Sequence, residues 1–257
     1  NLGYFIGKFI GPIFRSKSLI IENLKQANIN NEKNFDDISL SVLGNYGRIF
    51  SEYVHIKNFR NGKLNRFIEI EGKEYLKDII ENNKKVVFIS GHFNNFELMA
   101  MQLEKLGVDL AAIYRPLNNK YLNKDMEFIR KNFICKNQIK KGRSGSRELI
   151  KNFKNGSSIA LMIDQRVREG INVPFFKKFA STTTIPAQLV NKYNCEIVPI
   201  YIERKKEVFF KMYISKPLNF EKNNSIESIT LELNQILERM ILKNIDQWIW
   251  THNRWKK

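Results

Sequence analysis

Long apolar runs are missing from this chain of 257 residues. The longest candidate covers residues 2–14, and a bilayer-spanning helix needs about twenty. The body is therefore not a bundle of membrane spans. Cysteine is scarce: Cys135 and Cys195 are far apart and sit in apolar surroundings. That excludes a disulfide framework, points to a reducing compartment and leaves no metal-ligand cluster. Zinc-finger spacing, an RNA-binding signature and a basic heptad region are all absent, so nucleic acid is not an expected partner. No Gly-x-Ser-x-Gly elbow occurs and neither cysteine has a good site, so no acyl-enzyme is expected. Acidic residues are outnumbered, 26 against 43 Lys and Arg, for a net charge of +17. Such a field favours polyanions: nucleic acid, anionic lipid or an acidic carrier protein. A coding bias toward Lys and Asn would raise the same number.

What is present is alternation. Residues 17–60 read as helical, with Leu40, Leu43, Tyr46, Gly47 and Phe50 on helical spacing. Strands are expected over 67–70, 86–89, 109–114, 158–163, 196–203 and 208–215. Helices are expected over 74–82, 95–106, 122–132, 144–153, 185–193 and 225–243. Repeated β-α-β units argue for a largely parallel sheet with helices on both faces. No repeat, low-complexity tract or clear linker interrupts the pattern, and the length suits one large domain with at most a small appendage.

The appendage is residues 1–16. Residues 2–14 are apolar apart from Lys8, contain Gly3, Gly7, Gly11 and Pro12, and are followed by Arg15 and Lys17. The segment reads as the stub of a membrane anchor or a helix lying in the interface. A buried core helix is the plainer alternative. The chain opens with Asn1 rather than Met, so an upstream piece is expected to be missing.

The chemistry concentrates after the apolar run Val86-Val87-Phe88-Ile89, in Ser90-Gly91-His92-Phe93-Asn94-Asn95-Phe96-Glu97. His92 sits at a strand-to-helix junction with Glu97 five residues later. Five residues turn an ideal helix by about 140°, so the two can meet only with His92 on the turn and Glu97 in the first helical turns. In that geometry Glu97 holds one ring nitrogen while the other faces a substrate. A capping turn with an ordinary histidine is the bland alternative. Parallel sheets place their sites at the carboxyl ends of strands. His92, Arg115 and Asp164 each follow such an end, so three polar residues are expected to converge. Arg115 and Arg130 suit phosphate through bidentate pairing. Asp164 is expected to hold an arginine or a site loop, not to act as base. Backbone N–H groups at the start of the helix after His92 are the expected oxyanion donors. His252 and His55 read as structural.

Gly91-His92-Phe93-Asn94-Asn95-Phe96-Glu97 resembles the His-x4-Asp/Glu motif of membrane glycerolipid and lipid A acyltransferases. Glycine before His and an aromatic before Glu are similar to the lipid A late acyltransferases, the lauroyl and myristoyl transferases. Further segments resemble that family in its own order. They are Tyr114-Arg115-Pro116, Arg130, Asp164-Gln165, Val173-Pro174-Phe175-Phe176, Thr182-Thr183-Thr184 and Trp248-Ile249-Trp250-Thr251-His252-Asn253-Arg254-Trp255. The similarity runs from about residue 20 to the end, and the segments are specific together though weak singly.

The resemblance implies a glycerolipid-acyltransferase-like α/β fold. Its mostly parallel central sheet would be flanked by helices, with 1–16 membrane-associated and 17–257 the acyltransferase domain. It implies His92 and Glu97 as the catalytic pair and Asn95, Arg115, Arg130 and Asp164 as substrate-binding. It implies acyl carrier protein as donor and a hydroxyl of an anionic lipid A precursor as acceptor, at the cytoplasmic face of the inner membrane. No cofactor and no metal are expected beyond the acyl-carrier or acyl-CoA co-substrate. Two alternatives stand beside it: an acyl-CoA-dependent phospholipid or aminolipid acyltransferase, and a non-enzymatic basic module bound to membrane or nucleic acid.

Overall fold

The computed structural model describes residues 2–29 and 34–256. Residues 30–33, inside the span expected to be helical, lie outside the described residues, as does Asn1. The chain begins with α1 (Leu2–Phe14), α2 (Lys17–Gln26), α3 (Phe35–Glu52) and α4 (Ile56–Arg60). It continues with β1 (Ile68–Glu71), α5 (Lys73–Glu81), β2 (Val87–Ser90), α6 (Glu97–Lys105), β3 (Leu110–Tyr114), α7 (Lys120–Ile129) and β4 (Asn137–Lys140). Then follow α8 (Arg143–Lys154), β5 (Ser158–Met162), β6 (Ile171–Phe175), β7 (Lys178–Thr182), α9 (Ile185–Tyr193), β8 (Ile197–Lys206), β9 (Phe209–Ile214) and α10 (Ile226–Lys243).

Seven strands form one sheet in the order β1-β9-β8-β2-β5-β3-β4. β8, β2, β5, β3 and β4 run parallel, as do β1 and β9; the one antiparallel step is β8 against β9. The α/β fold with a mostly parallel sheet is thus as expected. Helices cover both faces, which is why β2 reads as an unbroken buried run, Val-Phe-Ile-Ser, rather than an alternating one.

Three strands were not expected. β4, Asn-Gln-Ile-Lys, carries one apolar residue and joins as the sheet edge beside β3. β6 and β7 form a separate antiparallel hairpin. Pro174 disguises β6 as a non-strand. The turn places Phe176 and Lys177 at positive φ, a geometry normally signalled by Asn or Gly.

α1 lies on α3, glycine face to glycine face. A Cβ at Gly3 or Gly7 would collide with α3, and one at Gly47 would collide with the α1 backbone. Small residues are what let two helix backbones approach this closely. The rest of α1 is left uncovered: Leu2, Phe5, Ile6, Phe9, Ile10, Ile13 and Phe14 are all exposed. Residues 2–14 are therefore not a buried core helix. No described helix is long and apolar enough to cross a membrane.

Candidate active site

β2 and β5 are neighbours, with Ser90 paired to Met162. The residues just past their carboxyl ends, Gly91-His92 and Asp164, are therefore side by side. His92 Nδ1 lies 2.9 Å from Asp164 Oδ1, and the His92 backbone N–H donates to Asp164 Oδ2 at 2.8 Å. The Trp248 indole N–H donates to the same Oδ2 at 2.9 Å. Gly91 is needed for this approach, because a Cβ there would press on the Phe93 ring and stand 3.2 Å from Asp164 Oδ2. Asp164 is fully buried, whereas His92 keeps 20% of its side chain exposed. Burial alone would raise the Asp164 pKa. The electrostatic interaction with the His92 ring, the two His92 hydrogen bonds and the Trp248 hydrogen bond outweigh it and hold the carboxyl below its usual range. An ionised Asp164 accepting from Nδ1–H leaves Nε2 as the free, basic nitrogen of His92.

Glu97 is not the partner of His92. Arg130 donates to its Oε1 from Nε at 2.9 Å and from an η nitrogen at 2.6 Å, and the Tyr53 hydroxyl donates to it at 2.6 Å. Glu97 opens α6 and is turned to Arg130 and Tyr53, while His92 Nδ1 is already held by Asp164 and the Phe96 ring stands edge-on to the imidazole with ring centres 4.8 Å apart. The two acids have exchanged the expected partners: Asp164 is bonded to the histidine and Glu97 to an arginine. Burial tends to lower the Arg130 pKa, but Glu97 and Tyr53 more than offset this and hold the cation charged.

The remaining candidates scatter. Arg130 is committed to Glu97 rather than free for phosphate. Arg115 does stand at the carboxyl end of β3, exposed, and donates to Asn118 Oδ1 at 3.5 Å. Asn95 is fully buried and its side-chain amide donates to Glu52 Oε2 at 2.9 Å, so it faces the interior and not a substrate. Of the expected oxyanion donors, those in the turn before α6 are taken, and the Glu97 amide that opens α6 has no partner among the described residues. The amides of Phe93 and Phe96 bond to Gly91 and Asn94 carbonyls, that of Asn94 to the Gln247 carbonyl, and that of Asn95 to Asn94 Oδ1. His55 closes a short exposed turn and takes no part.

Other residues hold the turn. Asn94 sits at φ 43°, a left-handed conformation that asparagine tolerates. Its side chain donates to Gln247 Oε1 at 2.8 Å and accepts from Arg204 at 2.8 Å. Arg204 is itself paired with Glu52 at 2.6 Å. The C-terminal aromatic segment was visible in the sequence, but nothing there showed Trp248 reaching Asp164. Arg204 and Glu52 gave no signal. A cavity of about 20 Å³ lies beside His92, walled by Val42, Tyr46 and Ile49 of α3 together with Phe96 and Trp248. That is room for about one water. α3 therefore lines the His92 site on one side and carries α1 on another.

A family model, bacterial lipid A biosynthesis acyltransferase, matches residues 1–257. The chain belongs to that family. A lipid A biosynthesis acyltransferase of Haemophilus influenzae is 28% identical over 204 residues, covering 76% of this chain and 63% of that protein. A lipid A biosynthesis lauroyltransferase of Escherichia coli is 24% identical over 200 residues, with the same coverage of 76% and 63%. This chain thus spans under two thirds of the length of these relatives. A solved 1-acyl-sn-glycerophosphate acyltransferase, PlsC, from Thermotoga maritima is similar with a TM-score of 0.46 and 15% identity over 96% of this chain and 97% of that one.

Proposed function

We propose that this member of the lipid A acyltransferase family moves a fatty acyl chain from an acyl carrier protein thioester to a hydroxyl of an anionic lipid A precursor. His92 is the general base and Asp164 its orienting partner. The observation that carries the reading is the His92–Asp164 pair, with Asp164 buried and both its oxygens occupied. A hydroxyl is a poor nucleophile until a base takes its proton as it attacks. His92 Nε2 takes that proton while the hydroxyl oxygen bonds to the thioester carbonyl carbon. The tetrahedral intermediate then expels the thiolate, which recovers the proton from the imidazolium. Asp164 stabilises the imidazolium between the two steps, the logic of a triad whose serine is replaced by the acceptor's hydroxyl.

Two surface features support the choice of partners. Lys120, Lys124, Lys131, Lys136, Lys140 and Lys141 are exposed along the β3–β4 edge and make no ion pair among the described residues. Such an edge suits an acidic carrier protein. The open face of α1 suits the interface of an anionic membrane, from which a lipid acceptor would be drawn, at the cytoplasmic face of the inner membrane.

The test is a transfer assay with carrier thioester and a lipid A precursor, read by free thiol and by lipid mass. Wild type is expected to transfer, with acyl-CoA a poorer donor, and His92→Ala to lose about 10²–10⁴-fold in rate with its Tm retained. His92→Ala within about threefold of wild type contradicts the base assignment, given the contribution a general base makes.

A further inference from the structure

The C-terminal segment brings a second imidazole to the carboxyl edge of the sheet. His252 Nε2 accepts the backbone N–H of Arg166 at 3.0 Å. Arg166 lies two residues past Asp164, whose Oδ1 contacts His92. Both histidines are thus anchored to one short stretch after β5. The segment is held firmly: Asn23 of α2 donates to the carbonyls of Trp250 and His252 at 2.8 and 2.9 Å. Tyr46 shares a hydrogen bond of 2.9 Å with Thr251.

A nitrogen that accepts an N–H carries no proton, so the ring proton of His252 sits on Nδ1 and the ring is neutral. Nδ1 has no partner among the described residues. It is also not among the side-chain atoms sealed from solvent without one. Among the described residues it is therefore an N–H donor held in place with no acceptor. The amides of Phe93, Asn94, Asn95 and Phe96, which lead into α6, are already bonded to other protein groups.

We infer that His252 is a catalytic residue whose Nδ1–H donates to the thioester carbonyl oxygen as it becomes an oxyanion. This rests on the acyl-transfer reading above. A neutral imidazole serves as such a donor where a cation would surrender its proton. Burial lowers the His252 pKa, opposed by Asp164 and assisted by Arg254, His92 and Lys141, which favours the neutral ring that the Arg166 hydrogen bond requires. His252 only donates a hydrogen bond; bond making and the proton transfer remain with His92.

The experiment pairs two substitutions with one measurement on the wild-type protein. A Gln carbonyl can replace the Nε2 acceptor but not the Nδ1 donor; an Asn amide can replace the donor. His252→Gln is expected to lower kcat about 10²-fold, the cost of one oxyanion donor, with donor KM near wild type. His252→Asn is expected to retain at least about tenfold more activity than His252→Gln, as a surviving donor requires. Imidazole 15N shifts of the wild type should show His252 neutral at pH 7 with its proton on Nδ1. A wild-type kcat in His252→Gln, equal losses in the two variants, or a loss confined to KM overturns the proposal. So does a cationic His252 or a proton on Nε2, which reads independently of folding of the variants. No transfer by the wild type would instead overturn the parent reading, and the 15N result would still stand on its own.

Discussion

The turn after β2 and the helix α1 present opposite solutions to burial. At the turn, Asn94, Asn95, Glu97, Asp164 and Arg204 are all buried, and each is bonded to other protein groups. Along α1, large apolar side chains are exposed while the covered face is glycine. Buried polar groups are costly unless bonded, and a bonded network admits one geometry. That suits a histidine that must hold one tautomer. An open apolar face of this size is instead a surface of interaction. α3 joins the two, since Val42, Tyr46 and Ile49 wall the His92 cavity and Gly47 receives α1.

Breaking the buried side should have the largest effect. Glu97→Gln leaves Arg130 charged and buried with its carboxylate gone, which costs about 3–5 kcal/mol. Thermal or urea unfolding should show it as a large stability loss; an unchanged Tm would mean that the Glu97–Arg130 pair does not hold the turn. Gly47→Leu sets a side chain against the α1 backbone and should cost about 1–3 kcal/mol, or release α1 altogether. Hydrogen exchange would show α1 amides exposed while sheet amides stay protected.

The open side should respond differently. Phe9→Glu with Phe14→Glu should weaken binding to anionic vesicles at least about tenfold, since each buried Phe is worth about 1.5–3 kcal/mol. Tm should not fall. A fall in Tm with vesicle binding intact would assign the face to another part of the protein. The mildest effect is acid sensitivity. The Asp164 carboxyl is held below its usual range, so its contribution is complete above about pH 4. It is lost as pH falls through the folded-state value. Acid unfolding of Asp164→Asn should therefore show a shallower pH dependence than wild type.

The contrast also explains what the sequence could convey. Apolar runs such as Val86-Val87-Phe88-Ile89 mark strands, so His92, Arg115 and Asp164 could be placed at carboxyl ends without a structure. The choice of acid for His92 could not, because it depends on strand order. β5 pairs with β2 although β3 and β4 intervene in sequence, and that brings Asp164 to His92 across 72 positions. Glu97 was nearer in sequence and was therefore the natural expectation. Trp248 and Gln247 reach the turn from about 150 positions away, and no local pattern carries that. The glycines of α1 were legible as punctuation, but their use as a helix contact needed Gly47 opposite them.

The most direct measurement compares kcat for Asp164→Asn and Glu97→Gln in the carrier-thioester transfer assay, each corrected for the fraction folded. With Asp164 as the orienting partner, Asp164→Asn should lose about 10²–10⁴-fold in kcat, and folded Glu97→Gln should stay within about tenfold of wild type. The reverse order, with Glu97→Gln inactive though folded and Asp164→Asn active, would return the histidine to Glu97 and contradict the account.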